Sequence, residues 1–205
     1  GIDDVLYDSF VRTGTDDDST NGSNYVYVTS EQFDGVDNFL ADENVSGDYL
    51  EILFLNNDSA LSGTVVDGVE TVVLDTLTDN LPTDSPQDGE NQLNASGITR
   101  DATIYVRGGS ATEDDRLQVD NLGTTLRADS YSYGVYEGEL DVNLASGAGQ
   151  VNIYTGDDDT AVTTRSGSSA WIDAYELDQG DLDLDGARNV EVVYAGDIII
   201  DASND

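Results

Sequence analysis

Apolar and polar residues alternate in short runs along this chain, separated by Gly, Asn, Asp and Ser. In Glu139-Leu140-Asp141-Val142-Asn143-Leu144 the apolar residues share one face, and the acids and the amide share the other. Asp181-Leu182-Asp183-Leu184-Asp185 repeats the pattern. A period of two marks a strand with one buried and one solvated face. Similar segments are predicted at Tyr25 to Thr29, Tyr49 to Leu55, Gly63 to Val66, Glu70 to Asp75, Ala102 to Arg107, Arg116 to Asp120 and Thr124 to Ala128. Further ones follow at Gln150 to Tyr154, Ala161 to Thr164, Ala170 to Tyr175, Asn189 to Tyr194 and Asp197 to Asp201, the last holding the continuous run Ile198-Ile199-Ile200. Beyond residue 100 the strands return every ~8 to 12 residues, a spacing typical of all-β architectures. The expected fold is all-β, built as a β-solenoid-like stack of strands, with a β-sandwich as the alternative.

Two stretches break the pattern. Gln32 to Leu40 is the one segment with helical character. Leu77 to Asn91 contains both prolines, Pro82 and Pro86, among Thr, Asp, Ser, Gln and Gly, and reads as a surface loop or hinge. It suggests an N-terminal β-rich part at 1–76, an acidic loop at 77–92 and a C-terminal strand-repeat part at 93–205, within one continuous domain or two.

Composition changes the picture more than any motif. The chain of 205 residues carries 43 acids against 7 bases, a formal net charge of -36. All seven bases are Arg, 33 of the acids are Asp, and Lys, His, Cys and Met are absent. Asp is a poor helix former, at home in turns and as an oxygen ligand for hard cations. So dense a charge repels itself, and bound cations or salt must relieve it. A calcium-bearing extracellular medium or concentrated salt would do so. Apolar residues at 38%, including eleven Tyr, nevertheless supply a core. Nucleic acid and anionic lipid are poor partners, because binding them needs clustered Lys or Arg. No apolar run reaches the ~18 residues of a membrane span, and the sequence opens Gly1-Ile2-Asp3-Asp4 without the basic n-region expected of a signal peptide. The start without Met and the end at Ser203-Asn204-Asp205 read as a processed chain or a piece of a longer one.

Asp carboxylates are therefore the candidate cation ligands, with Ca2+ as the expected ion. Asp157, Asp158 and Asp159 follow Gly156 and precede a short apolar strand, as in the calcium turns of β-rolls, or form a plain acidic turn. Asp181, Asp183 and Asp185 open like an EF-hand loop, but its twelfth position would be Val192, and Leu at the intervening positions suits a strand. On a strand these carboxylates would share one face, with Glu139, Asp141 and Glu191 expected on neighbouring strands. Bridging Ca2+ or screening salt would then offset the like-charge repulsion. Asp16, Asp17 and Asp18, and Glu113 with Asp114 and Asp115, are charge runs in loops. Sequons begin at Asn21, Asn44, Asn57 and Asn94.

Catalysis is not expected. Without His, Cys or Lys there can be no Ser-His-Asp or Cys-His triad and no imidazole or thiolate zinc site. Tyr131, Tyr133, Tyr136 and Trp171 form a candidate aromatic patch for a cell-surface glycan, and Tyr175 is expected on the strand face of Trp171, where packing is the simpler role.

One cadence resembles a known group. It runs from Asp48-Tyr49-Leu50-Glu51-Ile52-Leu53-Phe54-Leu55 through Asn57-Asp58-Ser59-Ala60-Leu61-Ser62-Gly63-Thr64-Val65 to Gly68-Val69-Glu70-Thr71-Val72-Val73-Leu74. Asn94 to Thr99, the Leu140 to Leu144 strand and the Gly156-Asp157-Asp158 turn continue it. This pattern resembles bacterial surface-layer and large RTX-type secreted proteins, although the tandem nonapeptide array is absent. The resemblance implies a right-handed β-solenoid or a β-sandwich region, exported without an N-terminal signal. It also implies Ca2+ bound in and between subunits, and self-association into a lattice, sheath or filament at the cell surface. A cation-dependent adhesin, or a virion or filament protein of a halophile, is the alternative.

Overall fold

A computed structural model describes residues 10–12, 25–30, 33, 38–40, 47–54, 60–61, 65–76, 90–109, 115–130, 132–175, 177, 180–185, 190–193 and 197–201. The fold is a β-solenoid. An eight-stranded sheet is formed by β2 (Tyr25–Thr29), β4 (Tyr49–Leu53), β7 (Thr71–Asp75), β9 (Thr103–Arg107), β11 (Thr125–Arg127), β15 (Gly149–Tyr154), β17 (Ser168–Asp173) and β19 (Val190–Val193), in that spatial order. A seven-stranded sheet contains β5 (Ala60–Leu61), β8 (Glu90–Asn94), β10 (Arg116–Leu122), β14 (Glu139–Leu144), β16 (Thr160–Thr163), β18 (Asp181–Asp185) and β20 (Asp197–Asp201). A small third sheet joins β1 (Phe10–Arg12), β3 (Asn38–Leu40) and β6 (Val65–Asp67). From β14 onward the chain passes from one large sheet to the other with each strand, so every rung lies on the rung before it. Strand pairing is parallel throughout these three sheets. That excludes the antiparallel sandwich. One antiparallel hairpin, β12 (Asp129–Ser130) with β13 (Gly134–Val135), leaves the wall between β11 and β14.

Register explains the apolar alternation. In the eight-stranded sheet Leu50, Val72, Ile104, Leu126, Ile153, Ile172 and Val192 form one inward column across neighbouring strands. In the other, Leu93, Val119, Val142, Val162 and Leu184 do the same. All these residues except Val192 are buried. Like side chains stacked at a parallel ladder's even spacing pack without gaps, and each fully buried Leu, Ile or Val contributes about 1.5–3 kcal/mol.

Three local features differ from the sequence expectation. Of the stretch expected to be helical, Phe33 is helical but Asn38–Leu40 is strand β3, with Phe39 buried and stacked on Phe33 at 5.2 Å. Glu90–Asn94 is strand β8, so Glu90 to Gln92 belong to the sheet rather than to the proline-containing loop. Across that loop, β7 pairs directly with β9 from Thr71↔Thr103 to Asp75↔Arg107. Finally, β10 is bulged: Asp120 and Asn121 lie opposite Asn143, and Asn121 has φ 56°. Asn tolerates that left-handed geometry, which lets the strand turn the corner without losing its ladder.

The corners are tight. Tyr136, 1% exposed, lies beneath the chain where three glycines meet it. A side chain at Gly109 or Gly138 would strike the Tyr136 ring, and one at Gly156 would strike its main chain. The Tyr136 amide donates to the Ala128 carbonyl at 2.8 Å, and its carbonyl accepts from the Asp157 amide at 3.0 Å. Tyr136 thus fastens the base of the hairpin to the rung that follows.

Candidate functional site

The structure places the Gly-Asp-Asp turn and the Asp181 strand against each other. Residues 156–159 form the corner between β15 and β16, and Asp181 begins the strand stacked below. The Asp181 amide donates to Asp159 Oδ1 at 2.7 Å, and the Asp159 amide donates to Asp158 Oδ1 at 2.8 Å. Gly180 is required here, because a Cβ would run into the Asp158–Asp159 backbone. The carboxylates of Asp158 and Asp159 therefore cap main-chain donors. Asp181 and Asp183 are exposed, with Leu182 and Leu184 buried beneath them. The side chain of Asp185 and the whole of Asp16, Asp17 and Asp18 lie outside the described residues. Among the described residues, no three acidic side chains come together as a metal-holding group.

The expected neighbours of Asp181, Asp183 and Asp185 need correction. β18 lies between β16 and β20, so Asp183 stands beside Ala161 and Ile199. Glu139 and Asp141 are one strand further away on β14, and Glu191 is on the other sheet. The cause is topological: strands adjacent in sequence belong to opposite sheets. Register does align Asp181 with Asp197 and Asp185 with Asp201.

Closer to the middle of the seven-stranded sheet, the outward acids have protein partners. Asp120 accepts from Gln92 Nε2 at 2.5 Å, Gln118 Nε2 at 3.0 Å and Asn143 Nδ2 at 2.9 Å. Asn94 Oδ1 accepts from the Ser96 amide and from Asn121 Nδ2, both at 3.1 Å, so this sequon's amide is built into the wall. Arg116 Nε donates to Asp141 Oδ2 at 2.6 Å and lies 3.7 Å from Glu139. Burial raises the Glu139 pKa; Arg116 opposes this, and Asp141, Asp159 and Asp158 reinforce it. Its proton is thus held more tightly folded than unfolded, so stability falls as pH rises through the carboxylate range. Glu139→Gln is expected to stabilise the protein modestly at about pH 7 and to change nothing at about pH 3, where Glu is protonated in both states. Urea midpoints of the two proteins at each pH check this.

The outer face of the eight-stranded sheet is different in kind. Tyr49 is 5.6 Å from Tyr25 and 5.9 Å from Tyr27, centroid to centroid. The hairpin brings Tyr133 over the same face, 6.1 Å from Tyr49 and 4.5 Å from Tyr105. Tyr105, Arg127 and Tyr154 are direct register neighbours. The Arg127 guanidinium lies 3.9 Å above the Tyr154 ring, which meets Trp171 edge-on at 5.6 Å. Two ion-paired groups are set among these rings. Arg107 bonds Glu51 at 2.8 Å and Asp75 more closely, and Arg127 reaches both oxygens of Asp129 at 3.0 Å. Burial works to lower the Arg107 pKa, but the hydrogen bond and charge of Asp75, then the charge of Glu51, more than offset it. Burial, then the hydrogen bond to Glu51, pushes the Tyr49 phenol well above its usual range. Val73, an outward position in register between Glu51 and Tyr105, is fully buried, so the side chains on this face close over it.

The expected patch of Tyr131, Tyr133, Tyr136 and Trp171 is therefore redrawn. Tyr136 is in the core, and Tyr131 lies outside the described residues. Tyr133 and Trp171 are on the stripe, and Trp171 packs with Tyr154; Tyr175, 68% exposed, follows the end of β17. Sequence reasoning missed Tyr25, Tyr27, Tyr49, Tyr105, Tyr154, Arg107 and Arg127. Aligning the predicted strands rung on rung could have revealed Tyr105, Arg127 and Tyr154 in one row.

No family model, curated protein or solved structure matches this chain. No helix among the described residues is long and apolar enough to cross a membrane.

Proposed function

We propose that the chain is a non-catalytic structural segment of an extracellular surface assembly, a β-solenoid rod held together by cations from its medium. The observation that carries this reading is the net charge of -36 laid on a stack of parallel rungs. Asp141 and Arg116 are paired and Asp120 is caged by amides, whereas at β18 and β20 acid positions meet acid positions in register, Asp181 with Asp197 and Asp185 with Asp201. Like charges opposed across strands are destabilising, and counter-ions relieve them. On this reading the cations act by collective charge relief along the stack. Ca2+, being divalent, serves at lower concentration than Na+.

Self-association into a lattice, sheath or filament belongs to the same reading. Among the described residues β2 is the outermost strand at one end of the eight-stranded sheet, and β19 at the other. Exposed parallel edges template further pairing. Light scattering on the full chain during CaCl2 addition is expected to show growth in mass once the protein is folded. A monomer at every Ca2+ and Na+ concentration that folds it would sink the assembly role.

A further inference from the structure

We propose that the outer face of the eight-stranded sheet binds a linear, uncharged polysaccharide, laid across the strands along its aromatic stripe. This inference does not depend on the assembly role. From β2 to β17 the stripe crosses six strand intervals, or roughly 30 Å at the usual spacing. That is the shape of a site for a chain molecule, not for a compact ligand. Tyr49, Tyr133, Tyr105, Tyr154 and Trp171 supply ring after ring, and Arg127 joins the two clusters. A pyranose presents C–H groups on its faces and hydroxyls at its rim. Its faces gain from lying on aromatic rings, whereas its hydroxyls need donors and acceptors beside them. Both are present. At the Trp171 end a shallow cavity of about 340 Å³ is lined by Gln150, Ser169, Ala170, Trp171, Val190 and Glu191. Its amide, hydroxyl and carboxylate suit sugar hydroxyls, and the phenols of Tyr25 and Tyr27, at 61% and 56% exposure, lie at the opposite end.

Charge selects the occupant. A polyanion would be repelled on approach to a protein of net charge -36. On the stripe itself Arg107 is set against Glu51 and Asp75, and Arg127 against Asp129, so no cation among the described residues of the stripe is left over to attract a polyanion. A neutral glycan pays neither repulsion nor the loss of a charged group's hydration. The regular rungs also match a polymer of repeating units better than they match a folded partner's irregular surface.

Trp171 is the only tryptophan, so its emission reports this face alone. The test is a fluorescence titration of the full chain, in salt that keeps it folded, with cellohexaose, laminarihexaose, N-acetylated chitohexaose and mannohexaose, and with hexagalacturonate as the anionic comparison. At least one neutral hexaose is expected to give a saturable change, and hexagalacturonate none. Calorimetry should then show affinity falling roughly tenfold in Trp171→Ala and in Tyr154→Ala, with Tyr154→Phe close to wild type. Circular dichroism confirms that each variant is folded. Failure of all four neutral hexaoses to bind folded protein overturns the proposal, as does preferential binding of the anionic one. So does sedimentation showing that the stripe substitutions abolish self-association while no glycan binds, which would make the face an interface between copies.

Discussion

Tyr136→Ala is expected to cost about 3–5 kcal/mol, the usual range for truncating a fully buried aromatic side chain. Three features put it at the upper end. The side chain is among the largest that are fully buried. Gly109 and Gly138 leave no side chain that could swing into the space it vacates. Its rung also carries the hairpin that delivers Tyr133 to the outer face, so a loosened base would disturb the aromatic stripe as well. Chemical denaturation of wild type and variant in the same salt measures the loss. Tyr136→Phe, which keeps the ring, should retain most of the stability.

Arg107→Ala is expected to cost about 2–4 kcal/mol, because it takes away the cation that two nearly buried carboxylates share rather than a single contact. The side chains of Glu51 and Asp75 are only 13% and 6% exposed, and Arg107 bonds both. These three residues tie β4, β7 and β9 together across the outer face. Arg107 is itself about a quarter exposed, which holds the estimate below the largest losses seen for buried pairs. Combining Arg107→Met with Glu51→Gln and Asp75→Asn should recover much of the loss, since the cation and both carboxylate charges are then removed together. Lack of recovery would mean that packing by the Arg stem, rather than charge, is what β9 contributes here. Stability curves of the single and combined variants separate the two.

How much of this was legible in the sequence follows from what each feature depends on. Glu139 to Leu144 and Asp181 to Asp185 were readable to the residue because alternation is local. The return of strands at short intervals made the stacked all-β fold readable too. β8 was hidden because Glu90-Asn91-Gln92 is polar: its outward Gln92 serves the amide cage around Asp120, and only Asn91 and Leu93 turn inward. The stripe was hidden for another reason. Tyr49, Tyr105 and Tyr133 are far apart in sequence, and rungs of unequal length obscure which outward positions align. The same ignorance of register placed Glu139 and Asp141 beside Asp181, when β16 actually separates them. Side-chain chemistry could be listed from the sequence, but adjacency could not.

We propose that cations permit this fold by relieving its charge. The direct measurement is circular dichroism of the full chain in EDTA and low-salt buffer, with CaCl2 and, separately, NaCl added stepwise. Little ordered β-structure is expected at the start and cooperative folding with either salt, with Ca2+ effective at far lower concentration than Na+. A fully folded protein in EDTA without added salt would contradict it, because the carboxylates would then need no counter-ion to be held together.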